Sequence, residues 1–408
     1  MRAIVKKVIN CTELITTPLA EFLALDNTVI RYMVMHWFGG ILLIYTVLLP
    51  IFMNKLGINI ITAGAIFSIT ALADVILTFI LSRFLDKISP NIGMSLDWLT
   101  ESLPPLIYSL ASTPFHFMLG SIAGRITNIL NPVYKVYENE IFSKDKQSLI
   151  YTYHLITPEV FTLIFYSFIG YLLTYKFTSI FAFRVVFLIC GIGFLFVALI
   201  PYKFLKWVEP IEITKHKAAI NFPRELYLVA SAQILIFVGL NFASMLVTSY
   251  YILDKMQGTV MDVLVLKIVS SLVIIFTGLY SKNLGSKISD VRIAQYGIGF
   301  FVLFAGLMSQ AKSYWMIIAA FIFYSIGNTV WFPHHYSFLM RLVPREKRGE
   351  FFGSVSSLEK LIGMVIPLLS GVLVNRYGFF IPFSLSFLAF FMVFLIYQHL
   401  AKKAIKSF

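Results

Sequence analysis

Ile180–Tyr202 reads IFAFRVVFLICGIGFLFVALIPY, and Lys203–Glu225 directly after it reads KFLKWVEPIEITKHKAAINFPRE. The first stretch is apolar over a length that crosses a bilayer core, which takes about 20 helical residues. The second is Lys-rich, carries Pro210 and Pro223, and falls near the middle of the 408 residues. A spanning helix that ends in a long basic break at mid-chain marks the join between two membrane-embedded halves.

Working outward from that join, five further runs of the same kind precede it and six follow. They are Thr28–Met53, Ile58–Leu81, Ile92–Ala111, Phe115–Val136 and Leu149–Thr174, then Leu226–Leu253, Thr259–Tyr280, Val291–Leu307, Tyr314–Met340, Phe351–Val374 and Phe379–Leu400. The chain is 59% hydrophobic and only 13% charged, with a mean hydropathy of +0.83. A soluble domain needs nearer a quarter charged residues to cover its core, so lipid is the solvent here. The expected fold is an all-α polytopic membrane protein of about twelve transmembrane helices in two pseudo-symmetric six-helix bundles. Its parts would be a cytoplasmic amphipathic segment over 1–27, bundles over 28–202 and 226–400, a linker over 203–225 and a tail over 401–408.

Orientation follows from Lys and Arg, which stay on the cytoplasmic side. With both termini inside, 22 of them fall in cytoplasmic segments, and the outer loops hold only Lys55, Lys176, Lys255, Lys312 and Arg376. A missed or added span would invert every later loop and ruin this bias. The formal charge of +13 is thus a topological signal and calls for no nucleic-acid partner. Cys11 and Cys190 lie far apart and form neither a disulfide framework nor a metal-type spacing.

Sliding the chain against itself by about 200 residues aligns Ser143-Lys144-Asp145-Lys146 with Pro344-Arg345-Glu346-Lys347, Pro132 with Pro333, and Gly170 with Gly371. At a slightly smaller offset, Ser82–Ser89 meets Gly278–Gly285. Duplication of a six-helix unit places a solute path between the copies. At these residues the chain resembles the major facilitator superfamily. Ser82…Asp86-Lys87-x-Ser89 is similar to the family's signature between spans two and three, with Ser at both Gly positions. The second copy keeps Gly278 and Gly285 but has Lys282 where Asp would stand. Pro344-x-x-x-Arg348-Gly349-x-x-x-Gly353, leading to Gly363-x-x-x-Pro367-x-x-x-Gly371, resembles the entry into span eleven. The resemblance implies a cytoplasmic gate built on Ser82, Asp86, Lys87, Ser89, Gly278, Gly285 and Arg348, with Asp86 as its latch.

An ionisable group inside a span costs about 2.5–3.5 kcal/mol on insertion scales, so each needs a partner, a wet cavity or an end position. Arg125 stands near the middle of span four, with Glu101 and Glu159 at similar depth in spans three and five. The family carries a central Arg in span four linked to proton transfer, and Arg125-x-x-Asn128 partly resembles that motif. A carboxylate exchanging a proton against Arg125 would form a coupling switch. Glu159, beside Pro158, is the expected partner, followed by Glu101 and Asp97; a purely structural Arg125 ion pair is the competing reading. In the second half Lys267, Glu359 and Lys360 are the embedded charges. The internal register sets Lys360 against Glu159, as opposite walls of a cavity suited to a zwitterionic or polar solute, while Lys267–Glu359 is an alternative pair. Gln233, Asn241 and Asn328 are cavity candidates on spans seven and ten. Asp74 is a gate or pathway candidate. His334-His335 are adjacent and point about 100° apart on a helix, so no metal site is assigned, and His36 and His154 stand alone in their spans.

No nucleotide-binding loop is present, and no catalytic cluster suggests an enzyme. The expected function is secondary active transport of a small organic solute across the plasma membrane by alternating access, coupled to protons, in a monomer without cofactors. A metal or cation exporter and a non-transporting sensor on a transporter fold are the alternatives.

Overall fold

A computed structural model describes residues 22–85, 88–143, 146–210, 224–281, 288–343 and 348–406. Most of the expected amphipathic segment and linker, together with Asp86, Lys87 and Gly285, lie outside the described residues.

The first half comprises α1 (Asn27–Leu42), α2 (Ile44–Lys55), α3 (Ile60–Leu85), α4 (Pro90–Ser109), α5 (Pro114–Ala123), α6 (Arg125–Leu130), α7 (Pro132–Ile141), α8 (Gln147–Tyr171), α9 (Ile180–Val197) and α10 (Ile200–Lys203). The second half comprises α11 (Arg224–Phe242), α12 (Met245–Tyr250), α13 (Val260–Ser281), α14 (Asp290–Gln310), α15 (Tyr314–Leu342), α16 (Arg348–Gly363), α17 (Ile366–Tyr377) and α18 (Phe380–Lys406). A π-helical turn ends α8 at Leu172–Lys176, and another ends α12 at Tyr251–Lys255. The protein is all-α and polytopic.

Among the described residues, ten helical runs are long and apolar enough to cross a membrane. The expected third and fourth spans are helical too, for different physical reasons less apolar or less continuous. α4 carries Asp97, Glu101 and two internal prolines. Span four is broken after Gly124 and again at Asn131, giving the three short helices α5, α6 and α7. Prolines also stand in the first turn after two further breaks, Pro201 in α10 and Pro367 in α17, whereas Pro158 lies inside α8 and Pro333 inside α15.

Helix starts follow local chemistry. Ser89 caps α4 by accepting from the Ile92 amide at 3.3 Å, with Pro90 at the first helical position. Ser179 does the same for α9 through Ala182. Asp26 caps α1 through Thr28 at 2.7 Å, and that hydrogen bond holds its carboxyl below the usual carboxylate range.

Within the first half, α4 packs on α9 and α5, and α1 on α8; within the second, α14 packs on α15 and α18, and α11 on α18. Two seams join the halves. On one, α8 runs antiparallel to α13: Thr174 Oγ1 accepts from the Met261 amide at 2.9 Å, Gly170 faces Met261 and Leu264, and Gly278 faces Ile156. On the other, α3 runs against α17 and α16, with Gly371 over Ile60 and Ile61, Gly64 over Pro367, and Ser68 Oγ accepting from the Leu368 amide at 3.1 Å. Small residues let these backbones approach closely. The ends bearing Lys55 and Lys255 also touch, since Asn54 Nδ2 donates to Asp254 Oδ1 at 2.7 Å and Tyr250 Oη to the Ile58 carbonyl at 2.6 Å.

Buried charge within a bundle is fully engaged at Glu138 on α7. It accepts from Tyr32 at 2.9 Å, Lys135 at 2.9 Å and Tyr151 at 3.2 Å. Glu138→Leu would strand the buried Tyr32 hydroxyl, so we expect a loss of about 1–3 kcal/mol. A thermal melt in detergent checks this, and an unchanged melting temperature would contradict it.

Candidate functional site

A cavity of about 600 Å³ lies between the halves. From the first half, Asp74, Arg125 and Asn128 line it; from the second, Asn241, Ser356, Glu359 and Lys360. Apolar walls come from Phe67, Phe237, Met245 and Leu246. Arg125 opens α6, and its side chain lines this space. Among the described residues Arg125 makes no ion pair and no hydrogen bond, although it lies within electrostatic reach of Glu101. An unpaired guanidinium offers five donors in a planar fork, a shape that fits a carboxylate or phosphate.

Glu159 does not meet Arg125. Lys267 Nζ donates to its two carboxylate oxygens at 3.0 and 3.1 Å, and Ser271 Oγ donates to Oε2 at 2.5 Å. The reason is the α8–α13 seam, which turns the Glu159 face of α8 toward the second half. The alternative Lys267–Glu359 pair is likewise absent: Glu359 accepts from Gln233 Nε2 at 3.1 Å. Lys360 does line the cavity, but its partners are Asp74 at 3.2 Å and Thr78 Oγ1 at 2.6 Å, not Glu159. Glu159 is not among the lining residues, so the expected opposition of Glu159 and Lys360 across one cavity is replaced by two separate cross-half pairs.

Asp97 and Glu101, one turn apart on α4, are 4% and 7% exposed. Tyr134 Oη donates to Asp97 Oδ2 at 2.5 Å, leaving Oδ1 without a partner, and Tyr45 Oη donates to Glu101 at 2.6 Å. Neither carboxyl has an ion-pair partner among the described residues.

Asn241 lines the cavity and donates to the Phe237 carbonyl. Gln233 reaches it only through Glu359, and Asn328 is not among its lining residues. Of the expected gate, the side chains of Ser82 and Arg348 lie outside the described residues along with Asp86, Lys87 and Gly285. Ser89 is a helix cap, and Gly278 is a close-contact point against Ile156. His334 contacts Asp290 at 2.6 Å, and His335 is buried against Tyr397 and Trp331. No group of three metal-ligating side chains occurs among the described residues. His36 and His154 are not solitary: their rings meet at 4.7 Å between Tyr32 and Tyr134.

Thr78 and Ser271 escaped the sequence reading. Each is a hydroxyl four residues after a charge, Asp74 or Lys267, and that spacing was the available signal.

A family profile described as the Major Facilitator Superfamily matches residues 32–358 and 229–407. The chain belongs to the Major Facilitator Superfamily. It is therefore a multi-pass membrane transporter and not an enzyme. An uncharacterized MFS-type transporter, YttB of Bacillus subtilis (strain 168), is 34% identical over 87 residues, 21% of this chain. That match spans only 22% of the relative's length. Among solved structures, a bacterial homologue of the iron transporter ferroportin in its inward-facing state superposes with a TM-score of 0.72, at 10% identity, over 92% of this chain and 98% of its own. The outward-facing form of a bacterial ferroportin homologue scores 0.61, at 12% identity, over 91% and 98%. The nucleoside transporter NupG scores 0.68, at 12% identity, over 91% and 99%. At such identities the likeness is one of fold.

Proposed function

We propose that this superfamily member is a secondary active transporter of a small organic solute bearing an anionic group, moved by alternating access. The observation that carries the reading is the unpaired Arg125 in a cavity between the halves, faced by Asn128, Asn241 and Lys360. The fork would take a carboxylate or phosphate; Asp74, Glu359 and the amides would take donors elsewhere on the solute. The apolar walls exclude water and strengthen those contacts.

Coupling to protons is assigned to Asp97 and Glu101 in place of Glu159. Both are buried on α4; Asp97 accepts from Tyr134, Glu101 accepts from Tyr45 and is also hydrogen-bonded by Thr127, and Glu101 lies in the field of Arg125. A neutral carboxyl is cheaper to hold in such a place than a carboxylate, so a change in wetting around α4 would move a proton on or off. Solute charge at Arg125 and proton occupancy at Glu101 would then be linked.

With both termini in the cytoplasm of a plasma-membrane monomer, the touching ends at Asn54–Asp254 are external and the state is inward-facing. The better superposition on the inward-facing ferroportin homologue supports this. A metal cargo, the second reading, draws on that neighbour's cargo but would need a ligand cluster in place of the unpaired Arg125.

The test is flux in proteoliposomes over organic acids, amino acids, nucleosides and divalent cations under an imposed pH gradient. Concentrative uptake of an anionic solute that Glu101→Gln removes, with exchange of preloaded solute retained, is the expected result. Flux confined to divalent cations would overturn the solute class, and pH-gradient-driven uptake undiminished in both Glu101→Gln and Asp97→Asn would overturn the coupling site.

A further inference from the structure

Each seam carries one cross-half ion pair within its spans, and the two pairs are built from the same parts. On α3, Asp74 and Thr78 stand four residues apart and hold Lys360 of α16. On α13, Lys267 and Ser271 stand four residues apart and hold Glu159 of α8. Asp74 and Lys267 differ by 193 positions, as do Thr78 and Ser271, and Glu159 and Lys360 by 201. The 201 offset is that of the internal repeat, whereas 193 falls short of the 196 that relates Ser82–Ser89 to Gly278–Gly285, so the two pairs are alike in composition without being register-matched copies. In each, a charge and a hydroxyl four residues on hold an opposing charge from the other half, and both acids belong to the first half and both lysines to the second.

We propose that these two pairs are the axle on which the halves rock, and that Asp74, Thr78, Glu159, Lys267, Ser271 and Lys360 are positioning residues that stay engaged in both access states. The inference rests on the alternating-access reading above. When one half rotates as a rigid body against the other, cross-half contacts on the axis keep their distance while those off it change, and two points define an axis. Asp74 and Lys360 line the cavity at one seam, and Glu159 and Lys267 pair across the other. Contacts lie along the seams to either side: Gly64–Pro367 and Gly170–Met261 toward one end, Gly278–Ile156 toward the other.

Electrostatics points the same way. Parting Glu159 from Lys267 would leave a largely buried carboxylate without its partner, which is costly in a membrane. A pair on the axis never has to part. Side-chain exposure is 15% for Glu159 and 9% for Asp74, so neither carboxylate is free to hydrate fully in place. The hydroxyl one turn away gives each pair a third contact, which fixes its direction as well as its length.

The test uses spin-label distances in the full chain with Cys11 and Cys190 replaced, and needs no transported solute, so its failure is separable from failure of the solute reading. Labels at Val160 and Leu272 report one pair, labels at Ile76 and Leu361 the other, and labels at Asn54 and Asp254 the touching ends. Gly64→Trp serves to wedge those ends apart. The expected result is a longer 54–254 distance with both pair distances held within their wild-type widths. Pair distances that lengthen along with 54–254 would overturn the axle. Charge exchange guards against misfolding: Glu159→Lys should lower the melting temperature and broaden the 54–254 distribution, and Glu159→Lys with Lys267→Glu should restore both. A double exchange no better than the single would also overturn it.

Discussion

Gly64→Trp is expected to hold the protein open at the end bearing Lys55 and Arg376 and to reduce transport at least tenfold. A Cβ at Gly64 would lie 2.4 Å from the Pro367 carbonyl oxygen and 2.9 Å from its carbon. Those atoms are backbone inside α17 and cannot rotate away. Overpacking of this sort costs about 1–3 kcal/mol or more, and the chain can escape it by parting α3 from α17. That escape is the motion of alternating access, so the cost becomes a shift of roughly 5- to 150-fold in the balance between states. Gly371, over Ile60 and Ile61 on the same seam, should respond alike. The check is disulfide formation between Asn54→Cys and Asp254→Cys, whose parent side chains hydrogen-bond at 2.7 Å. Cross-linking should be efficient in the parent and nearly lost with Gly64→Trp. Undiminished cross-linking with lost transport would mean the seam does not open there.

Arg125→Ala is expected to raise the half-saturating solute concentration about 10- to 150-fold, the loss of one charged hydrogen bond at about 1.5–3 kcal/mol. Arg125→Lys should fall between, since it keeps the charge but not the planar fork. Stability separates this role from a structural one. Arg125 has no ion-pair or hydrogen-bond partner among the described residues, so the Ala variant should melt no lower than the parent. A buried charge that had lost its partner would lower the melting temperature by several degrees through a loss of about 3–5 kcal/mol. Such a drop, with solute affinity intact, would return Arg125 to a structural pair with Glu101.

Much of the architecture was legible in the chain. Span positions, the mid-chain join and the two related halves follow from the length of apolar runs and from the Lys and Arg bias, because lipid tolerates little else. The repeat also set Glu159 in register with Lys360, a relation the two cross-half pairs preserve. Partnership was not legible. Arg125 and Glu159 sit at matching depths on neighbouring spans, yet they point apart: Arg125 lines the cavity, and the α8–α13 contact turns Glu159 to Lys267. The meeting of His36 with His154, on spans one and five, has no counterpart in sequence spacing either.

What the sequence by itself determined, then, is that the chain is an all-α polytopic membrane protein and which charges must be accommodated inside. Hydropathy and charge bias act residue by residue against a solvent that is the same for every helix. Only the tertiary structure decided which acid meets which base, and which guanidinium is left for a ligand. Those outcomes depend on how each helix is rotated about its own axis, and rotation is set by close contacts such as Gly64–Pro367 and Gly170–Met261, made between residues far apart in the chain.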